Sequence, residues 1–303
     1  MRRIVRIALP LSVLLVVAIA RARAPATAAV LSFAPVHPGI ERAALEVRTF
    51  PDAAPTRLWI YRPAVRVPPA TWPCVLVAAS GSTGATGVRL NEGDIAEHLP
   101  YVRQGFVVVA YELDGQVDAG LTADRYEVAV RAHVRSDGGI ANLRTAIEVA
   151  TRSEPSIDAK RIYLAGHGSA ATLALRAAAT VPAIRGVVAY APLLDPLKSL
   201  GETTVEALDV LAPGLRAMLL ERQPMAVAAE IRAPVMLFNA LDDDRAPVEQ
   251  ARAMAEAMRA AGNSPLVVEW PRGGHVEAIM SRGLEAGAAW LADRAKRDAA
   301  TEP

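Results

Sequence analysis

The chain has 303 residues, 33 basic and 32 acidic, and 52% of it is apolar. That is enough for a sizeable core in one large α/β unit or two small ones, and it excludes a disordered chain. A net charge of +1 with 5% aromatics gives no basic stripe for nucleic acid, and the single cysteine, Cys74, excludes an internal disulfide and a cysteine metal cluster.

The N-terminus differs in kind from the rest. Arg2, Arg3 and Arg6 precede an apolar run from Ile7 to Ala20, and Ala26-Thr27-Ala28 follows as a small-residue cleavage signal. This order predicts a signal peptide over residues 1–28 and an exported protein. The apolar run is short for a membrane span, but Arg21 and Arg23 keep an uncleaved anchor open as the alternative.

From residue 40 to 298 strands and helices alternate. Leu45–Phe50 and Arg57–Arg62 read as an antiparallel pair. Pro73–Ser80, with Cys74 buried in it, and Gly105–Tyr111 are continuous apolar runs, as strands covered on both faces are. Leu121–Arg152 is helical with a break at Asp137-Gly138-Gly139. Arg161–Gly166 is a strand, Ser169–Ala179 a helix and Ile184–Ala191 a strand. Residues 192–232 are irregular and mostly helical, a small cap or a long crossover. Pro234–Ala240, Val248–Ala261 and Pro265–Trp270 continue the alternation, and Ala278–Arg297 closes it with a helix. The pattern predicts a mostly parallel central sheet with helices on both faces, in one domain.

The segment RIYLAGHGSAATLALRAAA, residues 161–179, holds the most chemistry. Strand, tight turn and helix follow one another as in the nucleophile elbow G-x-S-x-G, where small residues flank a strained turn that lifts a serine oxygen above the sheet. Gly166 takes the first glycine position and Gly168 the nucleophile position; Gly168 has no side chain to attack with. Ser169, one residue on, offers its backbone N–H as an oxyanion donor. Its hydroxyl is a poor substitute nucleophile, because one helical step turns a side chain by about 100°, and its ordinary role is a helix cap. A rival reading is the dinucleotide fingerprint Gly166-x-Gly168-x-x-Ala171, but no acid ends the following strand to hold a ribose.

Downstream, LDDDRAP ends one strand and GGH the next. Either group alone reads as a solvated loop. Together, after the elbow and in the order acid then histidine, they read as the partners of a serine nucleophile. His275 is the base. Asp242, Asp243 and Asp244 are the neighbouring candidates for the acid. The glycines of Ser80-Gly81-Ser82-Thr83-Gly84 let the N–H groups of Gly81 and Ser82 face the site as further oxyanion donors. Glu112 and Asp114 line the pocket or cap a turn; the second is favoured.

VLVAASGSTG, LAGHGSAATLAL, LDDDRAP and GGH resemble the α/β-hydrolase superfamily, in particular the dienelactone hydrolase and prolyl-oligopeptidase-like serine hydrolases, from about residue 45 to 297. The resemblance implies an α/β-hydrolase fold and acyl-ester or peptide-bond hydrolysis through a serine acyl-enzyme, and its pattern of an acid four residues before a proline selects Asp243, ahead of Pro247, as the acid. It implies no cofactor and no metal, with a small ester or short peptide as substrate. Relatives are expected to read G-H-S-S-A where this chain reads G-H-G-S-A. The expectation is therefore a hydrolase impaired at Gly168, or a pseudo-enzyme that binds a ligand or partner in the same pocket. Contact with a membrane is expected only if the N-terminal segment stays uncleaved.

Overall fold

The computed structural model describes residues 30–118, 122–221 and 223–301, so the predicted leader over 1–28 lies outside the described residues. Among the described residues nine strands form one sheet: β1 (Ala34–His37), β2 (Ile40–Val47), β3 (Thr56–Pro63), β4 (Trp72–Ala78), β5 (Val107–Tyr111), β6 (Ile157–His167), β7 (Ile184–Tyr190), β8 (Val235–Ala240) and β9 (Leu266–Trp270). Their spatial order is β1-β2-β3-β5-β4-β6-β7-β8-β9. The expected antiparallel pair is β2 and β3, with Leu45 opposite Leu58 and Val47 opposite Thr56. β3 also runs antiparallel to β5, and from β5 to β9 every pairing is parallel. β4, β5 and β8 are buried at nearly every position, which their unbroken apolar runs require.

The helices are α1 (Ile95–Arg103), α2 (Ala123–Arg135), α3 (Ile140–Ser153), α4 (Ser169–Thr180), α5 (Pro196–Leu200), α6 (Glu202–Leu211), α7 (Leu215–Glu221), α8 (Pro224–Val227), α9 (Val248–Ala260) and α10 (Leu284–Thr301). Leu143, Leu173 and Met254 of α3, α4 and α9 belong to one apolar cluster on the sheet. Tyr101, Ala288 and Leu291 of α1 and α10 belong to a second. The break expected within 121–152 is present: α2 and α3 are separated by Asp137, Gly138 and Gly139, all with positive φ. Neither α1 nor β1 was anticipated. Pro100 interrupts the helical pattern of α1, and β1 has only four residues. In 192–232 the short helices α5 to α8 share a small core that includes Val205, Leu208, Leu215 and Met218. Among the described residues no helix is long and apolar enough to cross a membrane.

Strand order fixes where a site can form. From β4 the chain crosses to β5 on one side, and from β6 it crosses to β7 on the other. Loops leaving the carboxyl ends of two such neighbours diverge and open a crevice between them. Here these loops are residues 80–84 and the turn at Gly168.

Two buried histidines make the fold sensitive to acid. Burial holds His98 and His133 down to about 4, from an ordinary value of 6.5. The folded chain therefore declines protons that the unfolded chain accepts between pH 6.5 and 4. The stability involved is fully present above 6.5 and is lost as the pH falls toward 4. Urea unfolding at pH 5 should give a free energy lower than at pH 7 by about 2 kcal/mol per histidine. A flat profile over that range would show that the two rings are not buried neutral.

Candidate active site

The turn after β6 is tight and strained, with β6 leading straight into α4. Gly168 has φ 55° and ψ −116°, a combination that costs any residue with a Cβ about 1–3 kcal/mol. The turn is that tight because β6 reverses directly into α4, and Gly166 shows how closely. A Cβ there would meet the carbonyl carbon of Ala170 at 2.4 Å and the amide nitrogen of Ala171 at 2.7 Å. Gly166→Ala should therefore lower the unfolding free energy by about 3 kcal/mol, measured by chemical denaturation. A loss under about 1 kcal/mol would mean that the turn has slack.

A Cβ placed on Gly168 would point at His275, 3.3 Å from Nε2 and 3.9 Å from Cε1. Behind the imidazole, His275 Nδ1 lies 2.8 Å from Asp243 Oδ2. The Asp243 side chain is fully buried and that of His275 is 9% exposed. Burial alone would raise the Asp243 carboxyl. The bond to His275, the N–H of Ala246, the charge of His275 and the N–H of Arg245 outweigh burial and hold it below the usual carboxylate range. With the carboxylate accepting from Nδ1–H, the neutral ring carries its lone pair on Nε2, aimed at the empty position on Gly168.

The three adjacent aspartates divide the work. Asp243 alone meets His275. Asp242 accepts from Gly273 N–H at 3.1 Å and Gly274 N–H at 2.8 Å, so it pins the loop that carries the histidine. Gly273 must be glycine: its φ is 119°, and a Cβ would lie 2.7 Å from the nitrogen of Ala278. Asp244 is exposed.

The oxyanion loop departs from the expected arrangement. Gly81 N–H and Ser82 N–H do not face an open space. Both donate to Ser169 Oγ, at 3.1 and 3.0 Å. This also overturns the helix-cap role for Ser169: the residue at the cap position is Gly168, and no side chain caps α4. The Ser169 hydroxyl accepts two hydrogen bonds, and among the described residues no basic side chain bonds to it. As a first-turn residue its N–H has no carbonyl behind it in the helix and stays a donor at the cleft. Glu112 lies away from the cleft, buried and held by Arg57 and the N–H of Leu90. Asp114 is buried beside Asn142.

An open cleft of about 570 Å³ joins these groups, lined by Gly81, Ser82, His167, Gly168, Ser169 and His275 among others. His167 was passed over in the sequence as the variable residue of the elbow. Its ring centre lies 5.0 Å from that of His275, its Nδ1 is 3.5 Å from Glu97 Oε1, and its buried Nε2 has no partner. Arg245 also lines the cleft, a signal hidden beside the carboxylates of its own loop. Among the described residues no group of three metal-ligating side chains occurs. The dinucleotide fingerprint fits poorly. His275 stands over the start of α4, where a pyrophosphate would approach, and β7 ends in Tyr190, whose buried hydroxyl is bonded to that of Tyr101, with no carboxylate to hold a ribose.

The family model described as the dienelactone hydrolase family matches residues 62–296. The chain belongs to the dienelactone hydrolase family. No curated protein sequence matches it. Among solved structures, this family member is similar to the acylaminoacyl peptidase of Pyrococcus horikoshii, with 15% identity and a TM-score of 0.64 over 84% of this chain and 40% of that one. It is similar to dipeptidyl peptidase 4 of Porphyromonas gingivalis, with 16% identity and a TM-score of 0.63 over 84% of this chain and 35% of that one. It is also similar to an acetyl xylan esterase from a Paenibacillus species, with 17% identity and a TM-score of 0.56 over 84% and 87%. The chain thus spans well under half the length of the two peptidases and most of the esterase. At these identities the likeness shows the fold: this dienelactone hydrolase family chain has the α/β-hydrolase fold.

Proposed function

We propose that this chain is an acyl-hydrolase of the esterase and peptidase lineage in which the covalent route is closed, leaving a cleft that holds a small ester or short peptide. The observation that carries the reading is the vector from Gly168 to His275. An elbow backbone, a base with its lone pair and a buried acid are aligned on a position where no oxygen can stand. Ser169 does not replace the missing group, because its hydroxyl is turned to the 81–82 loop. What remains is activation of water by His275 and whatever stabilisation the N–H donors give, roughly a thousand-fold over water at most. Glycine also removes the backbone strain that a serine would carry at this φ and ψ, so the loss of the nucleophile stabilises the turn. The sequence order basic, apolar, small at residues 1–28 supports export of this protein. The test is p-nitrophenyl acetate hydrolysis by the parent and by Gly168→Ser, side by side. Turnover confined to the variant supports the proposal, and equal turnover by the parent rules it out.

A further inference from the structure

Beside the cleft a second, much narrower space of about 50 Å³ runs between α4 on one side and α5 and α7 on the other. It shares Ser82, Thr83, Ser169, Leu193 and Ser199 with the cleft, so it opens at the oxyanion loop and the start of α4. Leu173, Leu193, Pro196, Met218 and Leu219 make most of its exposed wall apolar, and Thr172, His133 and Gln223 add polar atoms. At its floor Arg176 lies 3.1 Å from Asp137, so the ion pair leaves no net charge to attract a charged group.

Position decides which part of a ligand enters. An alcohol or amine leaving the reaction centre takes its proton from His275, so it lies on the wall that carries His275, Arg245 and Val276. None of His275, Arg245 and Val276 lines the narrow space, so it opens from the part of the cleft away from them, where the acyl part lies. Size decides how much enters. At about 10–15 Å³ per water-sized group, 50 Å³ holds roughly three to five atoms.

We infer that this slot selects short, unbranched, uncharged acyl groups, from acetyl to about butyryl, and rejects long chains at Met218 and Leu219. The inference rests on the reading of the cleft as an acyl-hydrolase site. It is tested in two arms. In the first, the methyl groups of Leu173, Met218 and Leu219 are followed by NMR in the parent during titration with methyl acetate, methyl butyrate and methyl octanoate. The two short esters should shift these signals saturably, and the octanoate should bind at least about ten-fold more weakly. In the second, Gly168→Ser should show kcat/KM at least about ten-fold higher for p-nitrophenyl butyrate than for the octanoate. Met218→Ala, or Leu219→Val if the first variant is unstable, should narrow both preferences.

Octanoate binding in the parent as tightly as butyrate, or no methyl shift with any ester, overturns the slot even where the serine variant hydrolyses esters. Butyrate-selective shifts with an inert Gly168→Ser support the slot and overturn the missing-nucleophile reading instead.

Discussion

Gly168→Ser should raise p-nitrophenyl acetate hydrolysis by about 10³-fold over the parent. Removing a triad serine lowers turnover by about a million-fold, which sets the ceiling for restoring one. Two features of this site reduce the gain. The Gly81 and Ser82 N–H groups already donate to Ser169 Oγ, and losing an oxyanion donor is worth about 10²–10³ in turnover. His275 Nε2 also stands only 3.3 Å from the position of the new Cβ and must retreat by a few tenths of an ångström. Adding Ser169→Ala frees both N–H groups and should raise turnover about ten-fold further. The single variant should meanwhile lose about 1–3 kcal/mol of stability to the strained φ and ψ. Gly168→Ala should lose a similar amount and gain no activity, which separates strain from chemistry. A gain of less than ten-fold in Gly168→Ser would show that the elbow is not the place where a nucleophile is missing.

Asp243→Ala, placed on Gly168→Ser, should erase that gain. The acid of such a triad is worth about 10⁴ in turnover through its hold on the histidine, more than the restored activity. On the parent the same change should lower stability by about 2–4 kcal/mol. It leaves the N–H groups of Arg245 and Ala246 without their carboxylate, and an unmet buried N–H costs about 1–3 kcal/mol. Asp243→Asn keeps an oxygen for those two donors and should retain most of the stability while still abolishing the gained activity. The pH dependence follows from the lowered carboxyl. Its contribution is present above the range where an unfolded aspartate titrates and is lost as the pH falls through the folded value. The stability gap between parent and Asp243→Ala should therefore be constant from pH 7 to 5 and shrink below about pH 4. A gap that widens in acid would mean that Asp243 is not held as the anion.

Much of this was readable in the residues because the signals were local. Apolar runs such as CVLVA and FVVVAY can only be strands covered on both faces, and β4 and β5 are that. The order elbow, acid, histidine survives because each group closes its own strand, and the structure brings Asp243 and His275 to 2.8 Å across 32 residues. What could not be read is where side chains turn when they meet a distant loop. Ser169 looked like a cap because local preference favours it, yet a loop 87 residues away supplies two N–H donors for its hydroxyl. Asp242 looked like a rival to Asp243, and only the path of the 273–274 loop shows that it holds backbone instead. His167 and Glu97 lie 70 residues apart, with Glu97 on a helix whose internal Pro100 hid it. Long-range partners of this kind leave no period or spacing in a sequence.

The measurement closest to the central claim is labelling with a fluorophosphonate, followed by mapping of the modified peptide in the parent and in Gly168→Ser. The parent should remain unmodified, and the variant should carry one label, on the introduced serine and dependent on His275. A label on Ser169 of the parent would contradict the account, because it would place a working nucleophile one residue beyond Gly168.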